Sequence, residues 1–176
     1  MTPGAGTPVV NELGGTAMVL ATSLIEAWPL AVAMRKSLWM YPIVEITHIV
    51  GFVTLVGSIA VLDLRLLGLS RQVSVTALSR HTLPWSLGAL LLVIPSGLLM
   101  FTAHATDFIS NDAFITKMTL LMLAGANALW FRVGPYQSVR EWDVAAAPPA
   151  AARISAALSL LLWISIISCG RLLAYV

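Results

Sequence analysis

The stretch PIVEITHIVGFVTLVGSIAVLDLRLL, residues 42–67, decides the fold class of this chain. Between Glu45 and Asp63 it holds one ionisable side chain, His48, among apolar and small residues. A helix needs about 20 mostly apolar residues to cross the hydrocarbon core of a bilayer. The stretch therefore predicts a transmembrane helix, and Pro42 suits its first turn because proline is favoured there.

Three more stretches of this kind follow, at about residues 83–104, 113–131 and 154–174. Pro84 is expected in the first turn of the second span, Asn111 or Asp112 is expected to cap the third, and Gly134–Pro135 to end it. We therefore predict an all-α integral membrane protein in which residues 41–176 form a four-transmembrane-helix bundle.

The composition supports this class of protein. Of the 176 residues, 59% are hydrophobic and 10% are charged, whereas soluble domains average about 25% charged residues. These values exclude a water-soluble globule, a disordered chain and a nucleic-acid binder. The single cysteine excludes an internal disulfide framework and a cysteine-rich metal site.

The N-terminal part, residues 1–40, is expected to be a tail followed by an interfacial amphipathic helix. Residues 1–15 are polar and glycine-rich, so an extended or frayed segment is expected. Residues 16–34 are apolar but hold Glu26 and Pro29, which favours a helix in the membrane interface over a fifth span. The residues expected on its apolar face are Leu20, Leu24, Trp28 and Ala31.

Arginine is concentrated in the two connections between the first and second and between the third and fourth spans. Short cytoplasmic loops carry an excess of basic residues. We therefore expect a multi-pass protein of the bacterial inner membrane with these connections in the cytoplasm and both termini in the periplasm. The arginines concerned are Arg65, Arg71, Arg80, Arg132, Arg140 and Arg153.

Antiparallel threading sorts the ionisable side chains between the two halves of the membrane. His48, His104, Lys117 and Glu45 are expected to converge in the outer leaflet, and His81 is expected on the cytoplasmic side. Ionisable side chains within spans are candidates for function because they are costly to bury in lipid.

Small residues accompany two of these histidines. Gly51 follows His48 on the first span, and Gly97 lies on the same face of the second span as His104. One interpretation is a haem b pocket in which the glycines leave room for the macrocycle, and the other is close helix packing through small residues. In the haem interpretation His48 is an axial ligand and His104 the favoured second ligand.

Each of these residues also has a simpler interpretation. His48 could hydrogen-bond a neighbouring helix, His104 could be an ordinary residue of a helix end, and Met100 is a less favoured axial ligand. Lys117 could reach outward to lipid headgroups, or it could neutralise a haem propionate, as could Arg171. Asp63 and Arg65 are expected to have a structural, solvated role at the cytoplasmic end.

The segment from Ser37 to His48, SLWMYPIVEITH, resembles an uncharacterised family of small bacterial inner-membrane proteins. That resemblance supports the topology and implies no activity. The further matching features are Gly51, Gly57, the DLRLLG stretch at residues 63–68, Pro84-Trp85, Ser96-Gly97, Phe101, Phe114, Lys117, Asn127, Trp142 and Arg153.

A histidine early in a span, a later glycine and a lysine opening a later span are also distantly similar to the copper-resistance D-type membrane domain and to HemJ-type protoporphyrinogen oxidase. The resemblance implies that His48 corresponds to a helix histidine and Lys117 to a lysine of those haem-b proteins. It implies a haem-dependent oxidoreductase if the protein is an enzyme.

We therefore expect a cytochrome b-like protein that passes electrons between quinone and a periplasmic-side partner or small reductant. The alternative is a haem-free subunit of a larger membrane complex or a copper-handling transport protein, with His48 and His104 as metal ligands. A homo-oligomer is compatible with the glycines on the first span.

Overall fold

The computed structural model describes the backbone of residues 8–173 and of residue 175, with side chains from residue 15 onward. The described residues are helices joined by short turns, without a β-strand. A 3-10 turn at Pro135–Ser138 separates the sixth helix from the seventh. The helices are α1 (Pro8–Glu26), α2 (Pro29–Lys36), α3 (Met40–Leu66), α4 (Val75–Ala103), α5 (Ala105–Ile109), α6 (Asp112–Val133), α7 (Val139–Trp142) and α8 (Ala150–Leu172).

Four of these helices, α3, α4, α6 and α8, are long and apolar enough to cross a membrane. This confirms the predicted all-α membrane fold with four spans. Asn111 caps α6 by accepting hydrogen bonds from the backbone of Ala113 and Phe114, and Gly134 follows its last residue. Both ends of the third span therefore agree with the sequence prediction.

The second span begins earlier than predicted. Its first residue is Val75, because the Ser74 side chain accepts a hydrogen bond from the backbone of Ala77 and caps the helix. Pro84, which was expected in the first turn, lies inside the helix. The predicted start at residue 83 was therefore wrong, and the cap at Ser74 is the reason.

Helix α3 packs most extensively on α4 and also contacts α8, which in turn packs along α6. The backbones of α4 and α6 stay apart throughout the described chain. At one end of the fold their side chains meet in a stack of three aromatic rings, from Phe101 of α4, Phe108 of α5 and Phe114 of α6. We call the end of the fold that holds this aromatic stack the cleft end. The opposite end, which holds the two arginine-rich connections, is the arginine end.

The N-terminal segment is two helices, α1 and α2, with a bend of 70° between them. Residues 8–15 are helical, since α1 starts at Pro8, where an extended or frayed segment was predicted; residues 1–7 lie outside the described part. Of the four residues predicted to share one apolar face, Leu20, Leu24 and Trp28 are exposed. Ala31 is fully buried, because α2 packs against α3 and α4.

Specific hydrogen bonds hold this segment against the cleft end. The Glu26 carboxylate accepts a hydrogen bond of 2.7 Å from the backbone N–H of Thr106, near the start of α5. Arg35 donates to the backbone carbonyls of Ala103 and of Glu26. The backbone hydrogen bond from Thr106, aided by the charge of Arg35, lowers the pKa of Glu26.

At the arginine end, Arg65 closes the connection between α3 and α4. Its guanidinium donates to the backbone carbonyls of Val73, Arg71 and Asp143, and the residue is only 2% exposed. Burial acts to raise the pKa of Asp143, but hydrogen bonds from the Thr76 backbone and other donors outweigh it and lower that pKa. The predicted solvated role of Arg65 was wrong, because the residue is buried and these carbonyls replace water around its Nε and Nη2, while Nη1 has no hydrogen-bond partner.

Candidate functional site at the cleft end

The imidazole of His48 is fixed against α4. Its Nδ1 lies 3.1 Å from the carbonyl oxygen of Val93 and 3.0 Å from the hydroxyl of Ser96. A carbonyl can only accept, and the Ser96 hydroxyl already donates to the backbone of Leu92. Nδ1 is therefore the protonated nitrogen of the neutral ring, which leaves the lone pair of Nε2 available to a ligand.

Gly97 provides the space that this imidazole occupies. A Cβ added at Gly97 would lie 3.1 Å from Cε1 and 3.5 Å from Nδ1 of His48. The glycine therefore seats the histidine itself and leaves no room there for a macrocycle.

Gly51 has a similar packing role. A Cβ added at this position would lie 2.9 Å from Cγ2 of Val93 and 3.0 Å from Cβ of Leu92. Close approach of α3 and α4 fills the space beside the glycine. Of the two interpretations left open by the sequence, helix packing is the one that this geometry supports for Gly51, and a haem between α3 and α4 has no space.

On the side away from α4, His48 borders a cleft of about 210 Å³ between α3, α6 and α8. Because Nδ1 and Cε1 contact α4, the edge of the ring that can face this cleft carries Nε2. The lining residues are His48, Ile49, Phe52, Lys117, Ile166, Ile167 and Gly170.

Lys117 is the second polar group of the cleft. Its Nζ lies 3.8 Å from the position of a Cβ at Gly170, so the ammonium rests against the backbone of α8. It interacts electrostatically with His48 and with Cys169. The structure therefore brings His48 and Lys117 together at one end of the fold, as the antiparallel threading predicted.

His104 lies at the same end but does not face His48. It ends α4, its ring meets that of Tyr41 edge-on at 5.8 Å, and its Nδ1 is 3.6 Å from Asp107. Tyr41 precedes His48 by seven positions on α3, about two turns or 10 Å along the axis. His104 does not line the cleft beside His48 and has Tyr41 and Asp107 as its neighbours, so the structure does not bring the two imidazoles together there as a ligand pair.

The other predicted outer-leaflet charges also lie away from the cleft. The Arg171 guanidinium hydrogen-bonds the Tyr175 hydroxyl and lies 4.7 Å from the centre of that ring. Glu45 is exposed on α3. His81 is exposed near the opposite end of α4, which agrees with its predicted separation from the cleft.

The residues at the cleft match the needs of a haem only in part. They supply one imidazole ligand and one ammonium for a carboxylate. The cleft, however, is smaller than the roughly 300 Å³ at which pockets for drug-sized ligands begin, and a haem is larger than such a ligand. Within residues 15–173 and 175, no group of three or more His, Cys, Asp or Glu side chains is arranged for a metal ion. The described residues therefore do not fit a haem held within one chain.

Sequence reasoning missed a polar cluster nearer the arginine end, between α3, α6 and α8. Asp63, expected to be solvated, is only 6% exposed. The Asn127 side chain donates to the backbone carbonyl of Ser155 and accepts from its hydroxyl. The serines at 155 and 159 are one turn apart on α8, and this spacing in an apolar helix was the available signal.

Comparison with known proteins gives a family but no activity. No curated protein and no solved structure matched the chain. The predicted similarity to copper-resistance D-type and HemJ-type proteins therefore stays a prediction. The model of a family of unknown function (DUF6644) matches residues 40–176. This match takes in all four spans and leaves α1 and α2 outside, and on its extent the chain belongs to the DUF6644 family.

Proposed function

We propose that the protein binds the polar head of a lipid-soluble quinol in the cleft beside His48 and Lys117, as part of a redox function in the bacterial inner membrane. The observation that carries this proposal is the fixed imidazole. Its Nδ1–H is engaged by α4, so that Nε2 can accept a hydrogen bond in a cleft that an ammonium also lines.

The two polar groups are complementary to a quinol. A quinol hydroxyl can donate to Nε2 of His48, and the Lys117 ammonium can donate to a quinol oxygen and stabilise a negative charge on it. An imidazole exchanges protons near neutral pH, so His48 is suited to take the proton that a quinol releases on oxidation. The electron acceptor belongs to a partner.

The cleft is also suitable in size and surroundings. Its volume of about 210 Å³ corresponds to about seven water molecules at 30 Å³ each, which suits a substituted ring rather than a porphyrin. Phe52 and Ile166 supply apolar walls, and Ile49 and Ile167 are about half exposed. Lipid can therefore reach the cleft from the side, which is the route that a quinol with an isoprenoid tail requires.

Binding of a short-tailed ubiquinol to the purified protein in lipid nanodiscs tests this proposal. Trp163 packs on the cleft residue Phe52 with ring centres 5.9 Å apart, so quenching of tryptophan fluorescence reports occupancy. We expect His48→Ala and Lys117→Met each to weaken binding about tenfold, because a lost hydrogen bond of about 1.4 kcal/mol corresponds to that factor. His81→Ala is the matched control and should bind as wild type does. Equal affinity in His48→Ala and wild type would refute the quinol site.

A second candidate, haem b ligation by His48, is favoured by one specific observation. Metal-bound histidines usually donate their other ring N–H to a carboxylate, a backbone carbonyl or water, and His48 donates to the Val93 carbonyl. Because one chain does not enclose a haem, the second ligand would come from another copy or another subunit. An absorption spectrum of the reduced protein decides between the candidates: a Soret band that is lost in His48→Ala and kept in His104→Ala supports haem, and its absence from the wild type rejects haem.

The proposed orientation places the arginine end in the cytoplasm and the cleft in the periplasmic leaflet. Its support is the arginine content of the two connections. A cysteine in place of the exposed Gln137, in a Cys169→Ala background, should react with an impermeant maleimide in inverted membrane vesicles and not in intact spheroplasts. The opposite labelling pattern would reverse the orientation.

A further inference from the structure

Four polar side chains are buried together in the half of the spans nearer the arginine end. Each is less than 9% exposed, and they come from three spans: Asp63 from α3, Asn127 from α6, and Ser155 and Ser159 from α8. Asn127 and Ser155 satisfy each other through the reciprocal pair of hydrogen bonds described above. Asp63 is the one ionisable member of this group.

The carboxyl group of Asp63 is incompletely satisfied. The hydroxyl of Ser159 interacts with it, whereas Oδ2 has neither a hydrogen-bond partner nor contact with solvent. An anionic oxygen in that position is strongly disfavoured, because neither water nor a donor replaces its hydration. A carboxylate there needs either a bound cation or a proton.

The charged side chains that are near Asp63 in the sequence or in the structure interact with other groups and not with its carboxyl. Arg65 on the same helix donates through Nε and Nη2 to backbone carbonyls of the connection to α4 and of Asp143. Its Nη1 is buried without a hydrogen-bond partner and so does not reach the Asp63 carboxyl either. Arg132, at the end of α6, lies over the ring of Tyr136, 4.5 Å from its centre. The residues that α6 and α8 present to the cluster, Asn127, Ser155 and Ser159, carry no charge. None of the described groups therefore provides a counter-charge to Asp63.

We propose that Asp63 is a proton-binding site within the membrane: its Oδ2 holds a proton at neutral pH and exchanges it with water at the arginine end. Asp63 is three residues from the last residue of α3, so about one helical turn separates it from that end. When the proton leaves, the Ser159 hydroxyl remains as a hydrogen-bond donor to the anion. Ionisable groups within spans mark ion pathways and proton relays. This proposal does not depend on the quinol site.

Infrared spectroscopy of the full-length protein in nanodiscs tests the proposal directly. At neutral pH we expect a C=O stretching band at the frequency of a protonated carboxyl group in apolar surroundings. The band should shift when the sample is exchanged into D₂O. The band should disappear in Asp63→Asn, which keeps the shape of the neutral acid, and should change frequency in Asp63→Glu. Glu45→Gln, an exposed carboxyl on the same helix, is the control and should leave the band in place.

Two results would overturn the proposal. One is the absence of the band from wild-type protein, with a thermal midpoint that rises on addition of NaCl but not of choline chloride; the site would then hold a sodium ion. The other is a band that persists unchanged in both Asp63 variants, which would assign it to another carboxyl.

Discussion

Replacing Gly51 with alanine is expected to force α3 and α4 apart. The new Cβ would lie 2.9 Å from Cγ2 of Val93, 3.0 Å from Cβ of Leu92 and 3.3 Å from the carbonyl oxygen of Ala89. Carbon atoms are best separated by about 3.5–4.0 Å, so α4 would have to retreat by about half an ångström. Overpacking of this kind costs about 1–3 kcal/mol.

Gly57→Ala is the matched control on the same helix, since a Cβ there meets nothing within 4 Å. Both substitutions bring the same gain in helix propensity, about 1 kcal/mol at most, so their difference isolates the packing cost. A cost of about 1–3 kcal/mol corresponds to roughly 2–12 °C in thermal midpoint for a chain of this size. We expect Gly51→Ala to melt lower than Gly57→Ala by that amount in detergent.

Equal midpoints for the two variants would refute the close packing of α3 on α4 at Gly51. If Gly51→Ala instead melts normally but no longer binds a ligand, Gly51 would be part of a ligand site and not of a helix contact. The measurement therefore distinguishes the two interpretations that the sequence alone left open.

Three further predictions follow from the contacts described above. Gly97→Ala should displace the imidazole of His48 and weaken quinol binding about as much as His48→Ala does, measured by the same fluorescence assay; unchanged binding would contradict the seating of the ring. Because the folded state lowers the pKa of Glu26, its stabilising contribution is complete above the ordinary range of a glutamate, about pH 4.3, and is lost as the pH falls further. Protection factors of the α1 amides, corrected for the intrinsic exchange rate at each pH, should then fall in wild type but stay constant in Glu26→Gln, and equal pH profiles of the protection factors would contradict this. Asn127→Leu should destabilise the protein by about 1–3 kcal/mol because it removes the acceptor of the buried Ser155 hydroxyl and the side-chain donor to the Ser155 carbonyl, so a thermal midpoint equal to wild type would argue against that pair.

The sequence was sufficient for the spans because their signal is local. Length and hydropathy predicted four helices, and the side chain of Asn111 and the Gly134–Pro135 pair marked the ends of α6. The start of α4 was misplaced because Thr76 to Thr82 is polar enough to be taken for a loop. Its helical state depends on the cap at Ser74 and on Asp143, which is distant in sequence and accepts hydrogen bonds from Ser74 and from the Thr76 backbone.

The candidate site was predicted in part. That His48 and Lys117 would occupy one end followed from antiparallel threading, which depends only on the order of the spans. Which neighbours a histidine meets depends on how its helix is rotated about its own axis. Because the faces of these apolar helices differ little in polarity, the sequence does not determine that rotation. The structure therefore brings His48 and Lys117 to one cleft, as threading predicted, whereas His104 does not line that cleft.

The amino-acid sequence by itself determined that this is a membrane protein of four helices with basic connections at one end. Water and hydrocarbon act on each segment separately, so composition and length suffice for that result. Only the tertiary structure decided what lies beside each polar group: Gly97 receives the imidazole of His48, Arg65 is enclosed by backbone carbonyls, and Asp63 is buried without a counter-charge. Those outcomes depend on contacts of a few ångströms between residues far apart in the chain, which only the packed helices define.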